Sequence, residues 1–444
     1  MTYLVKHYQK NRDLFRSRFG FIMACIGSAV GMGNIWLFPY RVGEFGGFAF
    51  LVPFLIFEIA LGFCGVMGEM AFGRAMRTGS AGAFRKAMAR RGKKHGEAFG
   101  LIPLVGSIGI AIGYTIIVGW VLRFLFGALS GEMFNMNAGA YFGEIAGPFG
   151  SIGWHLIAII ITFIIMNAGI AAGIERASKI IMPLFFFLFV GLAFFVYTLP
   201  GSESGYEFLF SPDWSALANP KTWIYALGQA FFSLSLAGCG TIVYGSYLKD
   251  DTDVVSSGFL VFVFDLIAST LIALVIIPAV FAFGADPQAG PPLIFIVLPS
   301  IFAQIPSGQI LAIVFFVAVF FAGITSLVNL YEGPIEALQE RFNLGRMTSC
   351  GIVFALSFVV GIFLENADII GGWMDLFSIY IMPVGALLAG VMFFWVCGKG
   401  FAAKEIERGS KYKIGGVVEG LGKYVYCGVT LVVLVLGALL GGIG

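Results

Sequence analysis

Long apolar runs alternate along this chain with short segments rich in charge and turn residues. Read by those boundaries, the pattern predicts eleven helical spans. They fall at about 15–44, 46–76, 98–128, 152–170, 175–199, 221–247, 253–284, 309–340, 346–364, 372–397 and 423–443. A bilayer needs about 20 apolar residues per crossing, so the longest runs imply tilt or a break. A further apolar stretch, 288–306, is cut by prolines and is expected to be a helical outer loop dipping back toward the protein. The expectation is an all-α polytopic membrane protein, with residues 1–444 forming a single transmembrane domain.

Two spans are interrupted by glycine. The first break is Gly27-Ser28-Ala29-Val30-Gly31-Met32-Gly33-Asn34, and the second is Ser233-Leu234-Ser235-Leu236-Ala237-Gly238-Cys239-Gly240. Freed peptide groups are costly in lipid and persist only where they are buried in protein or line a polar cavity. Interrupted spans at matching places in two halves point to a transporter's binding site near the bilayer midplane. Five spans per half turn the second half upside down. That gives an inverted repeat of about 12–199 and about 221–397, with an extra helix at 423–443, and discontinuous first and sixth helices.

Composition supports the membrane class. The chain is 59% hydrophobic and 12% charged, which no soluble domain matches. A net charge of +2 gives no reason to expect nucleic acid. Of 27 lysines and arginines, 24 lie in the N-terminal arm, the 74–94 loop and the connections near 176, 249, 341 and 399–423. By the positive-inside rule this places the N-terminus in the cytoplasm. An odd span count then puts the C-terminus outside a cell inner (plasma) membrane. The polar, basic start leads us to expect no cleavable signal peptide. Six scattered cysteines without a CxxC argue against disulfides or a thiolate metal site. Histidines 7, 95 and 155 are too dispersed for a metal centre.

The breaks carry candidate chemistry. Unwinding near Gly27, Ala29 and Val30 frees hard carbonyl oxygens for a small cation, and Asn34 adds an amide oxygen. The N–H groups at Met32 and Gly33 open a half-helix whose dipole favours a carboxylate. Close helix packing through small residues would equally explain these glycines. Thr325 and Ser326 lie mid-span, with the Ala322 carbonyl one turn before; their hydroxyls could instead bond back to their own helix. Asp265 lies deep in VFVFDLIASTL with no basic neighbour. An ionisable group there is a functional hypothesis by default. Glu69 could accept from N–H groups at the second break, or be an interfacial carboxylate near Arg74.

At these residues the chain resembles the neurotransmitter:sodium symporter family, most closely its eleven-span bacterial members that carry hydrophobic amino acids. The resemblance rests on Gly27 through Trp36 with Phe38-Pro39-Tyr40, on Glu69 through Arg74, on Phe231 through Ser235, and on Phe321 through Ser326. It implies a first sodium site at Ala29, Asn34, Ser233 and Asp265, which also touches the substrate carboxylate. It implies a second at Gly27, Val30, Ala322, Thr325 and Ser326. A substrate pocket would use Ala29, Met32, Gly33, Ile110, Tyr114, Phe231, Ser233, Ser235, Gly238 and Ser326, with Phe232 as an aromatic lid. Arg12, Phe15 and Glu340 match a cytoplasmic gate, and Asp375 the acidic half of an outer gate. The family's outer-gate arginine is replaced by Leu37, and Arg41 one turn later is the candidate substitute. Gly238 stands where relatives often carry a bulky side chain, which favours large apolar or aromatic substrates. Asp265, in place of a neutral asparagine, implies chloride independence. Gly173 and Pro183 match a Gly-X9-Pro pattern at which the fifth span could unwind, since proline removes an N–H.

The sequence therefore predicts a sodium-coupled symporter for hydrophobic or aromatic L-amino acids, carrying about two sodium ions and no organic cofactor. Its partners would be the amino acid, sodium and the bilayer, with no nucleic acid; oligomeric state is not legible. A proton-coupled carrier or a non-transporting amino-acid sensor on the same scaffold are the alternatives. An enzyme is not expected, because no nucleophile–base constellation is present.

Overall fold

The computed structural model describes residues 13–287 and 293–442; Arg12 lies outside them. Among the described residues the secondary structure is entirely helical. Seven helices are long and apolar enough to cross a membrane singly: Gly47–Met76, Gly96–Ser130, Ile170–Tyr197, Val254–Ala282, Gly308–Phe342, Ala367–Val396 and Gly415–Leu440. Ile152–Asn167 and Arg346–Ile362 are shorter apolar helices that fill the fourth and ninth places. The first span is a bent pair, Arg18–Ala29 and Gly33–Glu44, turning by 61°. The sixth is Pro220–Ser233 followed by Gly240–Ser246. Eleven spans result, in the predicted order.

Three boundaries differ from the sequence reading. The tenth span begins at Ala367 rather than 372, because Asn366 caps it by accepting from the Asp368 N–H at 2.9 Å. The eleventh helix begins at Gly415 rather than 423. Its polar first turns hold because Glu419 pairs with Lys423 at 2.6 Å and accepts from the Gly400 and Ala403 N–H groups. The fifth helix begins at Ile170 rather than 175, where Asp13 accepts from the Ile170 N–H at 2.7 Å. The proline-cut outer segment does not cross. It packs Leu293–Phe302 inward, and Phe295 stacks on Phe142 at 5.2 Å.

Large apolar side chains face outward. Phe187, Phe194 and Tyr197 on the fifth span and Leu439 on the last are all more than 70% exposed. Such surfaces are an anomaly in water and ordinary against lipid tails. Charged pairs hold the interior of the Phe15 end. Arg346 grips Glu332 bidentately at 2.7 and 2.6 Å, and the Tyr247 hydroxyl donates to the same carboxylate.

The second span and the second half of the sixth cross at glycines. A Cβ on Gly73 would lie 1.9 Å from the Ile242 carbonyl oxygen, and one on Gly245 would lie 2.4 Å from that of Met70. Small residues let backbones approach this closely. Gly73→Ala is therefore expected to lower the thermal unfolding midpoint in detergent, with an overpacking cost of about 1–3 kcal/mol. Gly351→Ala, whose Cβ would meet nothing within 4 Å, should leave it unlowered.

Candidate functional site

The two breaks face each other. The first helix half ends as the Val30 N–H donates to the Ile26 carbonyl, and regular structure resumes at Gly33. The sixth span unwinds over Leu234–Cys239, where Ser235 and Gly238 take positive φ of 52° and 69°. That conformation suits glycine and strains serine. Four of the stray peptide groups find specific side-chain partners. The Ser235 hydroxyl donates to the Ser28 carbonyl at 2.5 Å, joining the breaks directly. The Gly238 N–H donates to Glu69 at 2.9 Å. The Met32 N–H donates to the Tyr114 hydroxyl at 2.7 Å. The Gly31 N–H donates to the Asn34 amide oxygen at 3.0 Å.

Between the breaks lies a small cavity of about 60 Å³. Of the expected pocket residues, Ala29, Met32, Gly33, Ile110, Tyr114, Phe231, Phe232, Ser235 and Ser326 line it. Ser233 and Gly238 do not, and the reading that Gly238 enlarges the pocket needs correction. A Cβ there would strike the Gly385 carbonyl oxygen at 2.4 Å. The glycine thus serves a backbone crossing, and Leu236 and Ala237 form that wall instead. Ser107, Asn329, Leu330 and Met382 also line the cavity. Sequence reasoning missed them, because in an apolar helix they look like packing.

Two oxygen-rich clusters flank the cavity. In the first, the Asn34 amide nitrogen donates to Ser233 Oγ at 2.7 Å, Asp265 Oδ1 at 3.0 Å and Ser269 Oγ at 2.9 Å. Ser233 Oγ donates in turn to Asp265 Oδ2 at 2.5 Å. Asp265 is fully buried without a basic partner. Glu58 lies beside it, also fully buried, and shares a side-chain hydrogen bond with it. Two such carboxyl groups cannot both ionise unless a cation joins them. Glu58 and Ser269 were not foreseen, although a glutamate inside a span is a signal that could have been read. In the second cluster, Ser326 Oγ donates to the Gly27 carbonyl at 3.2 Å. Thr325 Oγ1 bonds back to Phe321 and Ala322 carbonyls at 2.9 and 3.1 Å. A Cβ on Gly27 would lie 2.7 Å from Thr325 Cβ, so these groups converge. Hard neutral and anionic oxygens in this mixture fit an alkali cation rather than a transition metal.

The gates are asymmetric. A larger cavity of about 430 Å³ begins at Phe232, Met32, Gly33 and Tyr114 and reaches the surface at the exposed Asp375. The Phe232 ring lies against Gly33 between the two cavities. Arg41 does not pair with Asp375 as expected. It bridges to Glu44 at 2.8 Å and lies 3.9 Å over the Tyr225 ring, which hold it one turn away. At the other end Phe15 is buried edge-on against Phe21, Tyr244 and Tyr247. Glu340 pairs with Arg85 at 2.8 Å. Gly173 and Pro183 lie in unbroken helix in this structure.

Comparison with known proteins agrees with this architecture. The family model described as the sodium:neurotransmitter symporter family matches residues 12–146 and 143–439. An uncharacterized sodium-dependent transporter of Haemophilus influenzae is 34% identical over 366 residues, 80% of this chain and 79% of that protein. One from Bacillus subtilis is 33% identical over 416 residues, 89% and 90% of the two chains. The crystal structure of MhsT in complex with L-phenylalanine superposes with a TM-score of 0.84 at 32% identity, covering 96% of this chain and 99% of that one. The chain is a multi-pass membrane transporter of the sodium:neurotransmitter symporter family.

Proposed function

We propose that this protein imports hydrophobic, chiefly aromatic, L-amino acids together with two sodium ions, independently of chloride. The observation that carries the reading is the largely apolar pocket between the breaks, which the start of the second half-helix lines at Met32 and Gly33. The similar MhsT structure holds L-phenylalanine. The substrate carboxylate would rest on the Gly33 N–H and the Tyr114 hydroxyl. Its amine would face carbonyls near Ala29, Phe231 and Ser235.

The first sodium would be held by the Ala29 carbonyl, Asn34, Ser233 and Asp265. The second would be held by carbonyls of Gly27, Val30 and Ala322 with Thr325 and Ser326. Sodium supplies a positive charge that satisfies oxygens from both broken helices at once. Ions and substrate thereby favour the same closed arrangement, which is the source of coupling. Phe232 would close above the substrate, with Asp375 at the outer rim. Opening at the other end would release Arg12, Phe15 and Glu340 and loosen the fifth span between Gly173 and Pro183. The N-terminus would be cytoplasmic and the C-terminus outside. The single domain would be built from two inverted five-helix halves.

Three outcomes test the reading. Purified protein in liposomes should accumulate radiolabelled phenylalanine under a sodium gradient and not under potassium; indifference to the cation would sink the proposal. Tyr114→Phe should weaken sodium-dependent phenylalanine binding about tenfold or more, since it removes the hydroxyl from buried donors. Asp265→Asn should raise the sodium requirement or make uptake chloride-sensitive. Unchanged ion requirements in that variant would refute the role given to its charge.

A further inference from the structure

The turn between the helix Ser80–Ala89 and the third span is strongly basic. From residue 80 to 95 the chain carries six lysines and arginines and no acid. Two of the six are committed: Arg85 pairs with Glu97 and Glu340, and Lys86 donates to the Met76 carbonyl at 2.6 Å. The other four, Arg90, Arg91, Lys93 and Lys94, are exposed, and among the described residues they form no ion pair. Packing brings them to the end of the tenth span. Arg91 Nε donates to the Val396 carbonyl at 2.7 Å. Gly398 leaves room for that guanidinium, since a Cβ there would lie 3.3 Å from Arg91 Nη2. The Arg90 guanidinium lies 4.2 Å over the Phe401 ring. Lys399, also exposed and outside any ion pair among the described residues, follows Gly398 directly.

Two further observations set the depth and the sign of this patch. Trp395, at the end of the tenth span, and Tyr424, on the eleventh, are 46% and 70% exposed and meet edge-on at 5.6 Å. Trp395 Nε1 donates to the Lys423 carbonyl at 3.3 Å. Aromatic rings with a polar edge settle at the level of lipid headgroups, and Arg91 is tied to the residue next to Trp395. The acids on neighbouring elements are already engaged. Glu97 pairs with Arg85 and Arg341, Glu405 with Arg408 and Glu419 with Lys423, while Glu407 accepts from the Gly415 N–H. The five cations are therefore left for something outside the protein. The two guanidinium groups are held by Val396 and Phe401 and keep N–H donors free, the arrangement that takes a phosphate through paired hydrogen bonds.

We propose that Arg90, Arg91, Lys93, Lys94 and Lys399 form a binding site for the headgroup of an anionic phospholipid of the phosphatidylglycerol class. The lipid phosphate would lie between the basic turn and the end of the tenth span and tie the two together. A cluster of this size at the membrane surface attracts anionic lipid with a strength that grows with each added cation. The inference needs only that the chain spans a membrane, and it is independent of the cargo and of the sodium sites.

The test is lipid binding to the purified full-length protein, counted by native mass spectrometry. Phosphatidylglycerol and phosphatidylcholine with the same acyl chains are offered in equal amounts. Phosphatidylglycerol should be held about tenfold or more tightly. The triple variant Lys93→Gln, Lys94→Gln and Lys399→Gln leaves both guanidinium contacts in place and should cut that preference to about threefold or less. Adding Arg90→Gln and Arg91→Gln should remove what is left, and the triple variant carries the test if these two are not tolerated. Arg176→Gln with Lys249→Gln, which removes exposed cations elsewhere, should leave the preference intact. Inorganic phosphate in about hundredfold excess should not displace the lipid, because it lacks the acyl chains that hold the headgroup at this depth. Equal retention of the two lipids, a preference that survives the triple variant, or an equal loss in the Arg176 and Lys249 variant would overturn the inference. Displacement by inorganic phosphate would overturn it too, by assigning the patch to a free anion.

Discussion

The structure depends on one constraint: peptide groups released inside a membrane must be satisfied without water. Two helices are opened here, and several of the freed groups are answered by side chains from elsewhere. Tyr114 comes from the third span and Glu69 from the second, while Ser235 spans the gap between the breaks themselves. The scaffold is thereby tied together at its weakest points. What remains of the carbonyl and N–H capacity is directional, concentrated and dry, which are the properties a small zwitterion and an alkali cation require.

Buried charge sorts into two kinds. Glu332 is closed by Arg346 and Tyr247, and Glu365 by His155 Nδ1 at 2.9 Å and Ser151. These pairs are complete within the protein and fasten helices to one another. Asp265, Glu58 and Glu69 are of the other kind, buried with hydroxyl, amide, N–H or carboxyl partners and, among the described residues, no ion pair.

Much of this was legible in the sequence. Apolar run length located the spans because lipid imposes a nearly fixed crossing distance. The glycine-rich interruptions located both breaks because few other sequences tolerate them there. Asn34, Ser233 and Asp265 hydrogen-bond to one another, and Tyr114 reaches the first break at Met32. The remainder depends on rotation about helix axes and on partners far away in the chain. Arg41 is held by Tyr225 rather than reaching Asp375, and Gly238 faces the Gly385 backbone rather than the pocket. Neither fact is written in local spacing. Glu58 and Ser269 resemble ordinary interior residues until their partners Asp265 and Asn34 are seen, and Asn329 until the cavity it lines is seen. The early starts of the tenth and eleventh helices follow from capping and i,i+4 pairing, which hydropathy does not register.

The bare crossing of Gly73 over Ile242 leaves no side-chain cushion between the two backbones. Main chains in direct contact cannot slide without collision, so the short helix Gly240–Ser246 and the second span turn as a single lever. The pivot is then displaced to the unwound Leu234–Cys239 ribbon. A tilt of either partner would carry the other with it, and Glu69, on the second span, holds Gly238 in the unwound ribbon.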